Sequence, residues 1–368
     1  MSTTAQTYTK ENPFLTDLLK NEKLNKEGSA KDTRHFEISL KGSDIDYVPG
    51  DSLYVFAENE EGLVNEFLDM LELSNSREEE FARFTRDINI TRSSTKLFKL
   101  IEAKLPDDKK VEPKVLAEPY EGYSVVNIIK DIKAKYSLNF TTDEIADNSS
   151  KLMPRAYSIA SSLKAHPEEV HLCIARVDEE INGQKILGVC SNYLSERVEL
   201  NSKNLRIYLH VNPRFRLPES SETDIIMVGP GTGIAPFRAF MEERNWQREQ
   251  GQNVGKDWLF FGDQKAAFDY LYQDEFAQYE QKHGLRVTTA FSRDQEEKVY
   301  VQHRMREHGQ EIFEMLENGA HFYVCGDARR MAKDVDTALR EIATENGKDA
   351  DEYMKALKDS NRYQRDIY

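Results

Sequence analysis

The stretch Asp224 to Glu243, DIIMVGPGTGIAPFRAFMEE, constrains the fold of this chain more than any other. Asp224 to Val228 is a short apolar run of strand type. Gly229, Gly231 and Gly233 alternate behind it, and Ile234 to Glu243 has helical spacing, with Pro236 near its opening. A strand feeding a glycine turn feeding a helix is a phosphate-binding device: glycines let backbone N–H groups approach closely, and the helix N-terminus favours negative charge. The spacing is G-x-G-x-G, not the G-x-G-x-x-G of the dinucleotide fingerprint. A buried glycine turn with no ligand has the same look, so the surrounding chain has to decide.

After this stretch the period is strand then helix. Trp258–Phe261 precedes Ala267–Tyr279, Arg286–Ala290 precedes Val301–Asn318, and His321–Cys325 precedes Ala328–Asn346. Repeated β-α alternation means a mostly parallel sheet covered on both faces. The chain before it reads differently. His35 to Leu40 (HFEISL) alternates as a half-buried strand does, and a Pro49-Gly50 turn leads into the β-branched and aromatic run up to Phe56. From about Leu63 to Tyr136 the spacing turns helical, in LVNEFLDMLEL, REEEFARFTRD, TKLFKLIEAKL and SVVNIIKDIKAKY, with polar joints at Pro106-Asp107-Asp108 and Pro119. Strand character returns at Arg155–Ile159, Glu169–Val177 and Asn204–Val211. The expectation is an α+β part followed by an α/β part. Residues 1–12 are loosely held, 13–218 form a β domain with a helical insertion at about 60–150, and 219–368 form the doubly wound domain, joined at Glu219–Glu222.

With 368 residues, 39% hydrophobic and 31% charged, the chain has room for a real core. A net charge of −15 argues against nucleic acid as a partner. No apolar run approaches membrane-spanning length, and the first residues lack a signal peptide's apolar core and basic flank. Cys173, Cys190 and Cys325 are odd in number and widely spaced, which speaks for a reducing, cytoplasmic setting and against a disulfide framework or a CxxC metal site. No metal-ligand spacing and no nucleophile–base constellation stands out.

Three further stretches carry chemistry. Arg155-Ala156-Tyr157-Ser158-Ile159-Ala160-Ser161-Ser162 offers a fixed bidentate cation for a diphosphate, a ring able to stack on a flat heterocycle, and hydroxyl donors. The same residues would also suit an ordinary strand whose arginine meets a surface carboxylate. Gly188-Val189-Cys190-Ser191 opens a helix that can face a phosphate, or is simply an N-cap by Ser191. Ser292-Arg293-Asp294-Gln295 and Lys298-Val299-Tyr300-Val301-Gln302 gather cations suited to a ribose 2′-phosphate, where an NAD site usually places an acid; a solvated charged loop reads the same way.

Taken together and in this order, R-x-Y-S-I-A-S-S, G-V-C-S-N-Y-L, F-R-L-P and G-P-G-T-G-I-A-P-F-R resemble the ferredoxin–NADP reductase module of the diflavin reductases. That family includes cytochrome P450 reductase, the nitric oxide synthase reductase and the flavoprotein subunit of NADPH sulfite reductase. The C-terminal half is most similar to the last, through Ser292 to Gln302, Tyr323-Val324-Cys325-Gly326-Asp327, Met331-Ala332-Lys333-Asp334 and Arg362 to Tyr368. The resemblance runs from Glu11-Asn12-Pro13-Phe14 to Tyr368. It implies an antiparallel FAD-binding β-barrel with a helical insertion, followed by a doubly wound parallel-sheet NADP-binding domain.

The resemblance implies roles residue by residue. Arg155 holds the FAD pyrophosphate beside Ala156, Tyr157 stacks on the isoalloxazine, and Ser158 bonds near flavin N5. Cys173, Ile174 and Ala175 line the adenine side, Gly188, Val189, Cys190 and Ser191 face the pyrophosphate, and Thr91 touches FAD from the insertion. Where relatives often place a tyrosine against the adenine this chain has Glu179, which implies weaker FAD binding or a different adenine position. For NADPH, Thr232 lies in the pyrophosphate loop. Ser292, Arg293, Lys298, Val299, Tyr300, Val301 and Gln302 surround the 2′-phosphate, and Asp334 makes a further contact. Cys325 sits beside nicotinamide C4, with Ser158 and Asp366 completing a polar set. Tyr368 covers the flavin face and moves aside for the nicotinamide. On spacing alone, Cys325 reads as inert packing.

The implied reaction is hydride transfer from NADPH to FAD and then release of single electrons to a partner protein. Diflavin reductases carry a flavodoxin-like FMN domain ahead of this module, so three alternatives stand: the FMN carrier is a separate protein, the sequence is a piece of a longer one, or FAD passes electrons directly to a partner such as the haemoprotein of sulfite reductase. The alternative is a flavin-holding docking subunit that does not turn over NADPH. The Ser292–Gln302 cluster and Cys325 weigh against it.

Overall fold

The computed structural model describes residues 8–368; residues 1–7, part of the N-terminal stretch expected to be loose, lie outside the described residues. From Tyr8 onward the backbone is already tied. Thr9 and Asn12 exchange backbone hydrogen bonds at 3.0 and 3.2 Å, and the Tyr8 ring lies 4.9 Å from that of Phe14.

The chain opens with β1 (Phe14–Thr16), β2 (Leu18–Lys23), β3 (Thr33–Ser39) and β4 (Ser52–Val55). Six helices follow: α1 (Glu61–Asp69), α2 (Arg77–Arg86), α3 (Thr95–Lys104), α4 (Pro113–Ala117), α5 (Val125–Tyr136) and α6 (Thr142–Asn148). Strands return as β5 (Arg155–Ser158), β6 (Glu169–Ala175), β7 (Asp178–Ile181) and β8 (Gln184–Leu187), then α7 (Val189–Asn192) and β9 (Leu205–His210). The remainder alternates: β10 (Ile225–Val228), α8 (Ala235–Glu249), β11 (Asp257–Asp263), α9 (Ala266–Asp269), α10 (Gln273–His283), β12 (Arg286–Phe291), α11 (Val301–Glu307), α12 (Gly309–Glu317), β13 (His321–Gly326), α13 (Met331–Glu345), α14 (Ala350–Asp359) and β14 (Tyr363–Ile367).

These elements form two compact units. One comprises the segment up to Tyr54 with Ala156–Ala175 and Leu200–Tyr368; the other comprises Val55–Arg155 and Arg176–Glu199. In the first, a sheet of order β1-β9-β4-β5 and an antiparallel sheet β2-β3-β6 share their margins. β1 passes into β2 through the single residue Asp17, and Ile159, just past β5, bridges Leu172 on β6. The sheets therefore close on each other as the expected barrel.

The same unit carries a five-stranded parallel sheet of order β12-β11-β10-β13-β14. Its inner strands carry unbroken apolar runs, Ile225–Val228, Trp258–Phe261 and Phe322–Cys325, because both faces are covered. Ile226, Val228, Trp258, Phe260, Phe322 and Val324 pack on one side, whereas Ile225, Met227, Leu259, Phe261, Tyr323 and Cys325 pack on the other. That strict two-residue alternation is what a doubly wound sheet demands of its strands.

The second unit is built on the helical stripes. Val64, Phe67, Phe84, Leu97, Ile101, Ile129 and Phe140 form a core of their own. Ser76 with Glu79, and Thr141 with Glu144, close capping boxes at the starts of α2 and α6, satisfying amides that a helix leaves unpaired. The hairpin β7–β8 belongs to this unit. Its turn, Asn182-Gly183, has φ of +52° and +74°, as a tight two-residue connection requires.

Among the described residues no helix is long and apolar enough to cross a membrane.

Candidate active site

The glycine spacing after β10 has a steric cause. Gly231 lies at φ +57°, and a Cβ on Gly233 would stand 2.1 Å from the carbonyl oxygen of Cys325 on β13. A Cβ on Gly229 would meet the carbonyl oxygen of Gly233 at 2.5 Å. The turn thus presses directly on the carboxyl end of the neighbouring strand, where ligands of doubly wound sheets sit.

At that end Cys325 pairs in register with Asp366 of β14. Ser158, at the end of β5, donates its Oγ–H to Asp366 Oδ2 at 2.5 Å, and the Cys325 thiol faces the same oxygen at 3.9 Å. Burial first, and the Asp366 charge next, raise the Cys325 pKa well above its ordinary value, so the thiol stays neutral. Tyr368 is held by backbone bonds to Gly326 and Ala328, and its hydroxyl meets Thr232 Oγ1 at 2.7 Å. Ser158, Cys325, Asp366, Thr232 and Tyr368 are therefore brought together at one edge of the parallel sheet.

Beside them a cavity of about 550 Å³ opens at the carboxyl ends of β10, β11 and β12. Of the residues expected to contact a nucleotide, Ser292, Tyr300, Val301, Gln302 and Asp334 line it. The Ser292 amide donates to the Asp263 carbonyl at 2.9 Å, and Gln302 Nε2 donates to Asp334 Oδ2 at 3.2 Å. Tyr300 leaves 43% of its surface exposed, so its ring is open to a ligand. Arg293 and Lys298 do not line the cavity wall; they stand exposed on the loop between β12 and α11 and enter no ion pair among the described residues. Val299 packs into the core instead.

Sequence reasoning missed several lining residues, three of them charged. Lys31 and Arg330 supply cations, and Asp263 supplies a carboxylate. Asp263 ends the apolar run WLFFGD, and its place at a strand's carboxyl end was an available signal. Lys31 had none, because its loop before β3 carries no pattern that links it to residues some 230 positions later.

The residues expected to hold FAD are placed as follows. Arg155 and Ala156 are exposed on β5, and Tyr157 is half-buried. Cys173 and Ile174 are buried on β6 with Ala175 exposed behind them. Gly188 precedes α7, where a Cβ would lie 2.7 Å from Ser191 Oγ and 2.8 Å from Val177. The turn is thus compact, and the first-turn amides of Val189, Cys190 and Ser191 lack intrahelical acceptors. Ser191 Oγ accepts from the Val177 amide at 3.1 Å, and the buried Cys190 thiol faces the Val55 carbonyl at 3.8 Å. Thr91 is held by Asn89, whose Oδ1 accepts from both its amide and its hydroxyl at 3.0 Å. Glu179 is exposed on the β7–β8 hairpin. A guanidinium, the amides of a helix's first turn and a hydroxyl are donors of the kind that a dinucleotide's phosphates accept from.

A second group of chemistry-bearing side chains was not foreseen. His35 on β3 and His171 on β6 lie on one sheet face with Glu37 and Glu169, and His166 stands next to His171, their rings 4.2 Å apart. Each already has partners. His35 meets Tyr272 at 2.9 Å, His166 meets Glu242 at 3.0 Å, and His171 lies between Glu169 and the buried Arg238.

Comparison with known proteins agrees with this architecture. Residues 6–98 and 118–193 match the FAD binding domain, and residues 227–337 match the oxidoreductase NAD-binding domain. The chain belongs to the reductase family that joins these two domains, the ferredoxin–NADP reductase module of the diflavin reductases. Within that family it is similar to the flavoprotein alpha-component of NADPH sulfite reductase. The identity is 41% to the protein of Mannheimia succiniciproducens, covering 99% of this chain and 62% of the relative. It is 41% to that of Vibrio parahaemolyticus, covering 98% and 59%, and 40% to that of Bacillus subtilis, covering 98% and 62%. The chain thus spans about three fifths of the length of these relatives.

Proposed function

We propose that this chain is an NADPH-dependent FAD reductase that takes hydride from NADPH and delivers electrons to a separate redox protein. The observation that carries the reading is the meeting of Ser158, Cys325 and Asp366 at the carboxyl end of the parallel sheet, next to a cavity walled by Ser292, Tyr300 and Gln302. A docking subunit with no turnover has no use for that arrangement.

FAD, when bound, supplies the conversion of a two-electron hydride into single electrons. Arg155 and the Gly188–Ser191 turn are assigned to its diphosphate, Tyr157 and Ser158 to its ring system, Cys173 to Ala175 to its adenine side, and Thr91 to a contact from the helical insertion. The FAD-binding part is assigned to 13–218 and the NADPH-binding part to 219–368. Thr232 and the glycine turn take the NADPH diphosphate, and Ser292, Arg293, Lys298, Tyr300 and Gln302 take the 2′-phosphate. Asp334 orients Gln302.

As hydride leaves it, the nicotinamide ring becomes cationic. Asp366 places a fixed carboxylate there, and stabilising charge where it develops lowers the barrier. Ser158 donates to that carboxylate and orients it. Cys325 supplies a neutral, compact wall that excludes water without competing for the charge. Tyr368, held only by one hydroxyl contact and two backbone bonds, can give up its place to the incoming ring.

The relatives are named as subunits of sulfite reductase, and the sulfite reductase haemoprotein is the acceptor we assign, with a flavodoxin-like FMN protein as the carrier between them. Mixing the FAD-loaded chain with NADPH and each candidate acceptor tests this: haem reduction that depends on the FMN protein supports the assignment, and failure of every haemoprotein to accept electrons removes it.

A further inference from the structure

Asp263 ends β11, the second strand of the doubly wound sheet, and its side chain is 1% exposed. One carboxylate oxygen is fully used: Oδ1 accepts from the Lys31 ammonium and from the Gln264 amide, the latter at 2.6 Å. Oδ2 is buried and has no hydrogen-bond partner among the described residues. It lies 4.0 Å from the point where a Cβ on Gly231 would stand, and Asp263 lines the nucleotide cavity. A buried carboxylate oxygen left unpaired is costly, and native structures keep one where a ligand or water satisfies it.

The position of this oxygen narrows what satisfies it. On one side is the glycine turn assigned to the diphosphate. On the other is Ser292, assigned to the 2′-phosphate, whose amide and hydroxyl both donate to the Asp263 backbone carbonyl at 2.9 and 3.3 Å. Between the diphosphate and the 2′-phosphate of NADPH lies the adenosine ribose. Its 2′ oxygen is phosphorylated and has no proton to give, so its remaining donor is the 3′-hydroxyl. A carboxylate needs such a donor and would be repelled by either phosphate, unless the cation beside it holds its charge in check. Lys31 does so from the far oxygen.

We propose that Asp263 is a specificity-determining residue that accepts the ribose 3′-hydroxyl of the adenosine half of the nucleotide, with Lys31 as its positioning residue. This rests on the NADPH reading of the cavity. At this strand end an acid in an NAD site would take the 2′-hydroxyl; here the neighbouring Ser292 site leaves it the 3′ position.

The test is calorimetric and needs no turnover. Adenosine 2′,5′-bisphosphate carries the adenosine ribose alone, and its 3′-deoxy analogue lacks the one hydroxyl in question. The FAD-loaded wild-type chain is expected to bind the 3′-deoxy analogue about tenfold more weakly, the usual worth of a hydrogen bond to a charged group. Asp263→Ala is expected to lose about tenfold for adenosine 2′,5′-bisphosphate and to bind both ligands alike. Equal binding of the two ligands by the wild-type chain overturns the proposal even if the variant does not fold. So does a variant that still prefers the hydroxylated ligand. Failure of the wild-type chain to bind either bisphosphate, or NADP+, overturns the NADPH reading itself and this proposal with it.

Discussion

Ser158 and Asp366 are 208 residues apart in sequence, yet the serine hydroxyl reaches the aspartate Oδ2 at 2.5 Å, and Cys325 faces the same oxygen. The contact joins a strand of the barrel to the edge strand of the parallel sheet, and it fixes one negative charge at the point proposed for hydride loss. Asp366→Asn keeps the shape and removes the charge. It is expected to slow NADPH-dependent flavin reduction by about a hundredfold while changing NADP+ affinity little. Ser158→Ala should slow it by less, and the double variant by less than the product of the two, because both act through one oxygen. Rapid mixing of each variant with NADPH measures this.

Arg293 is exposed and has no carboxylate partner in the described structure, so a 2′-phosphate would be its first strong partner. Arg293→Ala should weaken NADPH binding by about tenfold or more and leave NADH nearly unchanged. Titration of both nucleotides decides it. Equal loss for the two would move the phosphate site elsewhere.

Tyr368 holds Thr232 through its hydroxyl at 2.7 Å, at the sheet edge proposed for the nicotinamide. Replacing it with alanine or serine should ease nicotinamide entry and narrow the preference for NADPH over NADH. The ratio of kcat/KM for the two nucleotides reports it, and an unchanged ratio would remove Tyr368 from the stacking position.

The buried histidines give a pH dependence of stability. Burial first, and the Arg238 charge next, lower the His35 pKa from its ordinary value to about 3, and the same two causes lower that of His171. Both are neutral when folded and take protons when unfolded, so stability is full above about pH 6.5 and falls as pH drops below it, by up to about 1.4 kcal/mol per pH unit for each group. His166 has the opposite sign, since its hydrogen bond to Glu242 raises its pKa, and its contribution is lost as pH rises. Two terms outweigh one, so the Tm should fall between pH 6.5 and 4.5. His171→Gln should flatten that fall.

The parallel sheet was legible in the sequence because its three inner strands carry unbroken apolar runs and alternate with helices. β10, Ile225–Val228, was read one residue long, from Asp224. The helical insertion was legible from its stripes, except for the short α4 and for α6. β14 was not, since YQRDI is too polar to read as a strand and owes its conformation to the ladder with β13. The helix expected over Ala267–Tyr279 is broken at Tyr272, whose φ of +55° no spacing pattern announces. The helix expected over Val301–Asn318 breaks at His308, whose φ of −109° and ψ of 20° leave the helical region. The hairpin β7–β8 had its signal in Asn182-Gly183, overlooked beside the charged residues around it. The nucleotide site was half legible. Ser292 to Gln302 cluster in sequence, whereas Lys31, Asp263 and Arg330 are joined to them only by folding.

Ser158, Cys325 and Asp366 are proposed to surround the point where hydride passes from NADPH to FAD. The most direct measurement is anaerobic rapid mixing of the FAD-loaded chain with saturating NADPH while the flavin's visible absorption is followed. Rapid bleaching is expected with NADPH, far slower bleaching with NADH, and loss of the fast phase in Asp366→Asn. A flavin that stays oxidised with both nucleotides bound would contradict it.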